Sequence, residues 1–264
     1  MVTRAARIVW MLTRFDTCAL VFLSVFLPTF YQTHDLHFSL AHSTPVLTIC
    51  MCGFVLNDLS DIEKDRENHP ARPLPSNAIG EVTASVLYFS LLGISLIAIK
   101  LYVSGSDVYL YVLLLIALVN YNYVVFYLPL AKNIYVAVMG LIPIFILGSL
   151  LDNNQGVGLV APSLFLFLLG REVLLDVQDA GGDKGTLAKA IGLRSAENIA
   201  FALKLIGSLW LFAVTRGKLD FAVASSFVLL DVIFVVMWKM HRFRRPIIHL
   251  MKLQLLVGIY YLVR

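Results

Sequence analysis

The chain has 264 residues, of which 59% are apolar and only 14% charged, with a net charge of +4 and a mean hydropathy of +0.82. Soluble domains carry about 25% charged residues, so this composition excludes a soluble enzyme and specifies a polytopic membrane protein. The three cysteines (Cys18, Cys50, Cys52) all lie in apolar runs without zinc-ligand spacing, which predicts buried packing residues and no disulfide framework.

Apolar segments fall at 15–31, 44–60, 79–103, 108–128, 133–151, 157–177, 196–215, 219–239 and 246–263. Each is near the ~20 residues that cross a ~30 Å hydrocarbon core, the first two being short. The expectation is an all-α bundle of about nine transmembrane helices around a central cavity, forming one domain over 1–264. Arg4 and Arg7 precede the first segment, but no small-residue cleavage site follows, so a retained first helix is expected rather than a signal peptide.

Charge tests the count. With the N-terminus cytoplasmic, the cytoplasmic connections hold Arg4, Arg7 and Arg14; Lys64, Arg66 and Arg72; Lys132; Arg171, Lys184, Lys189 and Arg194; and Lys239, Arg242, Arg244 and Arg245. The opposite side receives Lys100, Arg216, Lys218 and Arg264, while Lys204 and Lys252 fall within spans. This asymmetry predicts a multi-pass protein with its N-terminus on the cytoplasmic side. The far side is chemically quiet; His34, His37 and His42 lie there and read as an exposed polar loop rather than a metal site.

Two acidic stretches stand out against so few charges. Asp58, Asp61 and Asp65 follow the second span, spaced three and then four apart, and Asp176, Asp179 and Asp183 repeat that spacing after the sixth. On a helix such spacing puts three carboxylates along one face. The charge count places both sets at the cytoplasmic face. Grouped carboxylates suit hard cations, and Mg²⁺ characteristically bridges one or two of them to a substrate's phosphate oxygens. Six Asp residues exceed one ion's needs, so two clusters sharing a diphosphate through Mg²⁺ is the expectation. Arg66 and Arg72 follow the first set and Lys184 the second, types that contact phosphate oxygens. Solvated acidic loops are the plainer reading. A cation transporter is the other, although ion pathways place acids near the membrane midplane and these sit at span ends.

The run Asn57-Asp58-x-x-Asp61-x-x-x-Asp65, then Asn68-x-x-x-Arg72-Pro73-Leu74-Pro75-Ser76, resembles the first signature of the UbiA-type intramembrane prenyltransferases. Asp176-x-x-Asp179-x-x-x-Asp183, preceded by Arg171-Glu172 and followed by Lys184, resembles the second. Nine spans with both motifs cytoplasmic also match, so the resemblance covers essentially the whole chain. It implies that Asn57, Asp58, Asp61, Asp65, Asp176, Asp179 and Asp183 hold Mg²⁺ and the diphosphate of an isoprenyl donor. Tyr127 and Lys132 resemble the family's tyrosine-then-basic stretch, and Arg14 stands where an arginine reaches the phosphates. Two departures are visible: Arg14-Phe15-Asp16-Thr17 replaces the usual Arg-x-x-(Lys/Asn)-Pro, and Gly185-Thr186-Leu187-Ala188 follows the second motif early and without its proline.

The implied activity is prenyl transfer from an isoprenyl diphosphate to an acceptor, an aromatic one by expectation, with the donor's tail among the spans and the bilayer as surroundings. Cyclisation of farnesyl or geranylgeranyl diphosphate without an acceptor is the alternative within the superfamily. No nucleic-acid partner is expected. Asn120 and Asn122 in the fourth span read as interhelical hydrogen-bonders or pocket-lining residues. Glu172 reads as a partner of the acids, a base, or the mate of Arg171 or Lys132.

Overall fold

In the computed structural model, residues 3–127, 131–180, 186–214, 218–240, 246–248 and 250–251 are described, and every element among them is a helix. The order is α1 (Arg4–Thr13), α2 (Phe15–Thr33), α3 (Leu36–Ser60), α4 (Ile62–Asn68), α5 (Glu81–Tyr102), α6 (Asp107–Tyr127), α7 (Lys132–Leu150), α8 (Asn154–Gln178), α9 (Leu187–Ile191), α10 (Leu193–Val214) and α11 (Lys218–Lys239). Seven of them (α2, α3, α5, α6, α7, α8 and α10) are long and apolar enough to cross a membrane. With α11 they match the first eight expected spans in order; the ninth, 246–263, lies almost wholly outside the described residues. The chain is a polytopic, all-α membrane protein.

Two elements differ from expectation. The second span begins at Leu36 and not at 44, because Asp35 caps α3 by accepting a hydrogen bond from Phe38 N at 2.9 Å. His37, Ser39, His42 and Ser43 lower the hydropathy of its first turns. His42 therefore sits buried inside α3; His37 is exposed but also helical, and of the three histidines expected in an exposed loop only His34 lies outside α3, between α2 and α3. The ten-residue α1 was too short to register as a span. Its Ile8 and Leu12 turn inward while Val9, Trp10 and Met11 remain exposed, the pattern of an amphipathic helix.

Proline interrupts α2, α3, α7 and α8 without ending them. Hydroxyls bond back to helix carbonyls near two of these sites: Thr29 Oγ1 donates to Val25 O near Pro28, and Thr48 Oγ1 to Thr44 O and Pro45 O.

The chain forms two compact units, Met1–Tyr123 and Val124–Arg264. In the first, Leu12, Cys52, Val55, Leu74, Ala84 and Leu91 form a buried cluster joining α1, α3, α5 and the turn after α4. All three cysteines are buried and free. Polar ties cross the helices: Ser95 Oγ donates to Thr48 Oγ1 at 3.0 Å, and Tyr111 OH to His42 O at 2.9 Å.

In the second unit α8 and α10 meet along small residues, the usual route to close backbone approach where lipid supplies no hydrophobic drive. A Cβ on Gly170 would come within 2.6 Å of Ala200 O, and one on Gly207 within 3.0 Å of Ser163 O. Ser163 Oγ donates to Gly207 O at 2.8 Å across the same seam. A charge pair is buried beside it. Lys204 Nζ on α10 stands 3.0 Å from Asp231 Oδ1 on α11, Ser208 Oγ donates to Asp231 Oδ2 at 2.5 Å, and the ammonium lies 4.4 Å from the Phe167 ring centroid. Lys204 and Asp231 are 1% and 3% exposed.

Gly170→Ala is expected to lower the thermal midpoint of the detergent-purified protein, because the atom it meets is backbone; overpacking of this kind costs about 1–3 kcal/mol. Gly158→Ala, with nothing within 4 Å of its Cβ, is the control and leaves the midpoint unchanged or raised. Asp231→Leu strands a buried ammonium, a loss of about 3–5 kcal/mol, and Lys204→Met combined with Asp231→Leu recovers most of it. Thermal melts of the single and double variants check this.

Candidate active site

The first acidic stretch is not one helix. Asn57 and Asp58 end α3, Asp61 sits at the break with φ −100° and ψ 11°, and Asp65 lies on the short α4. The hydrogen bonds still run through the break, from Asp61 N to Asn57 O (3.0 Å) and Asp65 N to Asp61 O (2.8 Å), so the i, i+4 relation survives. Asn57 Nδ2 donates to Asp61 Oδ2 at 3.2 Å.

Asp58 and Asp65 are 4% and 3% exposed, and basic groups from two other places answer them. Arg14 Nη2 donates to Asp58 Oδ1 at 3.1 Å. Arg72 Nη1 donates to Asp65 Oδ2 at 2.5 Å and stands 3.8 Å from Asp58 Oδ1. Arg72 is delivered by a run of tight turns, Arg72 N to His69 O and Ser76 N to Arg72 O, which the buried Leu74 pins to the core. Arg14 is delivered by strained backbone: it occupies the left-handed region (φ 45°, ψ 51°) between α1 and α2, a conformation that costs a non-glycine residue about 1–3 kcal/mol. Its guanidinium stacks 4.9 Å above the Phe54 ring. A cleft of about 380 Å³ opens here, lined by Trp10, Met11, Arg14, Asp16, Asp58, Arg72 and Pro73. Arg66 is exposed on α4 and makes no ion pair among the described residues.

The second stretch ends α8. Asp176 is 2% exposed, and both its oxygens are held from the first turn of α7: Lys132 Nζ reaches Oδ1 at 2.5 Å and Asn133 Nδ2 donates to Oδ2 at 2.8 Å. The N-terminal end of α7 adds its partial positive charge to that compensation. Asp179 is the exposed residue closing α8. Asp183 and Lys184 lie outside the described residues, and of Tyr127 only the helical backbone is described. Glu172 pairs with its neighbour Arg171, the last of the three roles open to it in the sequence. Asn122 Nδ2 donates to Ser60 Oγ at 2.9 Å and so ties α6 to the end of α3, whereas Asn120 Nδ2 bonds its own helix at Ile116 O.

Sequence reasoning missed Asn133 and Phe54. A signal for Asn133 exists, since a second polar side chain directly after Lys132 at the mouth of an apolar span needs a partner. Phe54 carries none beyond an aromatic one turn before the first Asp.

Carboxylate and amide oxygens are the only donors in either stretch, a hard set that fits Mg²⁺ and not a softer metal. Among the described residues no three such groups converge on one point, because the buried acids turn toward Arg14, Arg72 and Lys132. Each stretch therefore joins buried carboxylates to fixed cations, an arrangement able to bind an anion and a divalent cation together.

Solved structures with the same fold include a digeranylgeranylglyceryl phosphate synthase (TM-score 0.70, 22% identity, 97% of this chain and 98% of that one). A UbiA homolog from Aeropyrum pernix K1 has a TM-score of 0.74 at 15% identity, covering 92% and 95%. One from Archaeoglobus fulgidus, bound to GPP and Mg²⁺, has 0.67 at 12%, covering 97% and 99%. The digeranylgeranylglyceryl phosphate synthases of Methanococcus aeolicus and Methanoregula boonei are 31% and 34% identical over 59% and 60% of this chain. The chain spans about half the length of these curated relatives, 55% and 58% respectively. The profile of the UbiA prenyltransferase family matches residues 19–247, and the chain belongs to that family.

Proposed function

We propose that the protein is a Mg²⁺-dependent intramembrane prenyltransferase that ionises an isoprenyl diphosphate at its two Asp motifs and passes the prenyl group to an acceptor. The observation that supports this best is that each motif carries a buried Asp clamped by basic side chains, in a chain of this family. Asn57, Asp58, Asp61 and Asp65, with Asp176, Asp179 and Asp183, are the residues assigned to Mg²⁺. Bound there, the ion neutralises diphosphate charge and stabilises the leaving group. Arg14, Arg72, Lys132 and Lys184 are assigned to phosphate oxygens. Arg66, exposed and without an ion pair among the described residues, is assigned a weaker part.

In the reaction the allylic C–O bond breaks and its electron pair leaves with the diphosphate. A lone pair of the acceptor forms the new bond to the allylic carbon, and the displaced proton passes to the departing diphosphate or to solvent. The guanidinium groups of Arg14 and Arg72 hold the oxygens that gain charge. The surrounding apolar helices exclude the water that would quench the allylic cation. The whole chain 1–264 acts as one catalytic domain on this reading, with its N-terminus and both motifs at the cytoplasmic face, a placement that the basic-residue asymmetry supports.

For the acceptor, the relatives' name denotes a glyceryl phosphate carrying two geranylgeranyl groups. That favours a hydroxyl on a glyceryl lipid phosphate over the aromatic ring expected from sequence.

Asp61→Ala and Asp179→Ala are each expected to lower diphosphate release from geranylgeranyl diphosphate at least ~100-fold while insertion and thermal midpoint stay near wild type. Near-normal turnover in both variants overturns the two-motif reading. Wild-type protein in Mg²⁺-containing proteoliposomes is expected to consume the donor only with an acceptor present, a glyceryl lipid phosphate outperforming a phenol. A cyclic hydrocarbon or alcohol formed without acceptor identifies a cyclase instead. No diphosphate release under any condition leaves only a non-enzymatic role such as transport.

A further inference from the structure

We infer that Asn133 completes the cation site of the second Asp motif, orienting Asp176 through its N–H and presenting its own amide oxygen to the cation, and so supplies from α7 the amide that Asn57 supplies within the first. The inference rests on the prenyltransferase reading and assigns a residue that neither motif contains. The first motif opens Asn57-Asp58, and Asn57 Nδ2 donates to a carboxylate of its own cluster, Asp61 Oδ2. The second opens Leu175-Asp176, so the equivalent place holds an apolar side chain that can neither donate nor ligate. Asn133 makes good the difference from another helix, with Nδ2 2.8 Å from Asp176 Oδ2.

The amide can face only one way. Turning its oxygen toward Asp176 would set an acceptor against a carboxylate, so the nitrogen points to Oδ2 and the carbonyl oxygen is left over. That oxygen, Oδ1, is buried on a side chain only 2% exposed and has no hydrogen-bond donor. A buried amide oxygen without a partner is costly and rare, and its retention beside a carboxylate marks a place where a cation or its bound water arrives. Lys132 already occupies Asp176 Oδ1, so the neighbouring pair Lys132–Asn133 fixes both carboxylate oxygens from a single turn. A plain staple between α7 and α8 would need the N–H donor and have no use for the unpaired oxygen.

The test measures Mn²⁺ uptake by electron paramagnetic resonance in the presence of geranylgeranyl thiolodiphosphate, which is not turned over, on wild-type protein and the variants Asn133→Leu, Asn133→Ala and Asn133→Asp. Loss of a residue that orients a metal-ligating carboxylate is expected to raise half-saturating Mn²⁺ about 10- to 100-fold in Asn133→Leu and Asn133→Ala. Asn133→Asp returns an oxygen without the donor, so it is expected to regain at least tenfold of that loss while its thermal midpoint stays no better than that of Asn133→Leu. Unchanged Mn²⁺ uptake in the Leu and Ala variants, or no recovery in Asn133→Asp, reduces Asn133 to a helix staple and overturns the inference. If only one of the Leu and Ala variants folds, it serves alone. Wild-type protein that takes up no Mn²⁺ with the thiolodiphosphate instead sinks the functional reading, and this inference with it.

Discussion

Three carboxylates with almost no access to water, Asp58, Asp65 and Asp176, set the terms for much of the structure around them. In apolar surroundings an ionised group must be paired or it forces the protein to unfold or the group to neutralise. Each acid is met by a cation from outside its own helix: Arg14, 44 residues from Asp58, and Arg72, seven residues past Asp65, for the first stretch, and Lys132, 44 residues from Asp176, for the second. The left-handed turn at Arg14, the tight turns around Arg72 and the start of α7 at Lys132 are the backbone consequences. Each aims a positive charge at a buried acid, and the turns around Arg72 also seat Leu74 in the apolar core.

The spans and the two Asp motifs were legible in the sequence because both signals are local. About twenty apolar residues in a row mean a crossing wherever they occur, and the three-then-four spacing of acids can be counted on the page. What escaped depends on tertiary geometry or on segments too short to carry a hydropathy signal. The ten residues of α1 fall into the second group. The early start of α3 was hidden because His37, Ser39, His42 and Ser43 read as loop, yet inside the bundle their backbone is satisfied by the helix and two of the hydroxyls bond back along it. The break at Asp61 was invisible because the acid spacing is the same in a kinked helix as in a straight one.

The basic residues show the same division. Arg66 and Arg72 look equivalent in sequence, both following the first motif, but only Arg72 lies on a segment anchored by a buried leucine, and only Arg72 reaches the acids. Arg66 rides the outer face of α4 and stays in solvent. Asn133 is the converse case, a residue with no motif to announce it, brought against Asp176 because it occupies the second position of α7.

Pairing by arginine also explains how one cluster can serve two charges. A guanidinium carries five N–H donors in a rigid fork. Arg14 and Arg72 each engage the buried acids through a single terminal nitrogen, Nη2 of Arg14 and Nη1 of Arg72, and both side chains are about a third exposed in the cleft. On the proposed function, the donors not directed at a carboxylate take phosphate oxygens, so substrate binds without stripping the acids of their compensation. A lysine offers three donors from one point and lacks this separation of faces. On the proposed reading, that is why the first stretch, whose buried Asp58 lines the cleft, is served by two arginines.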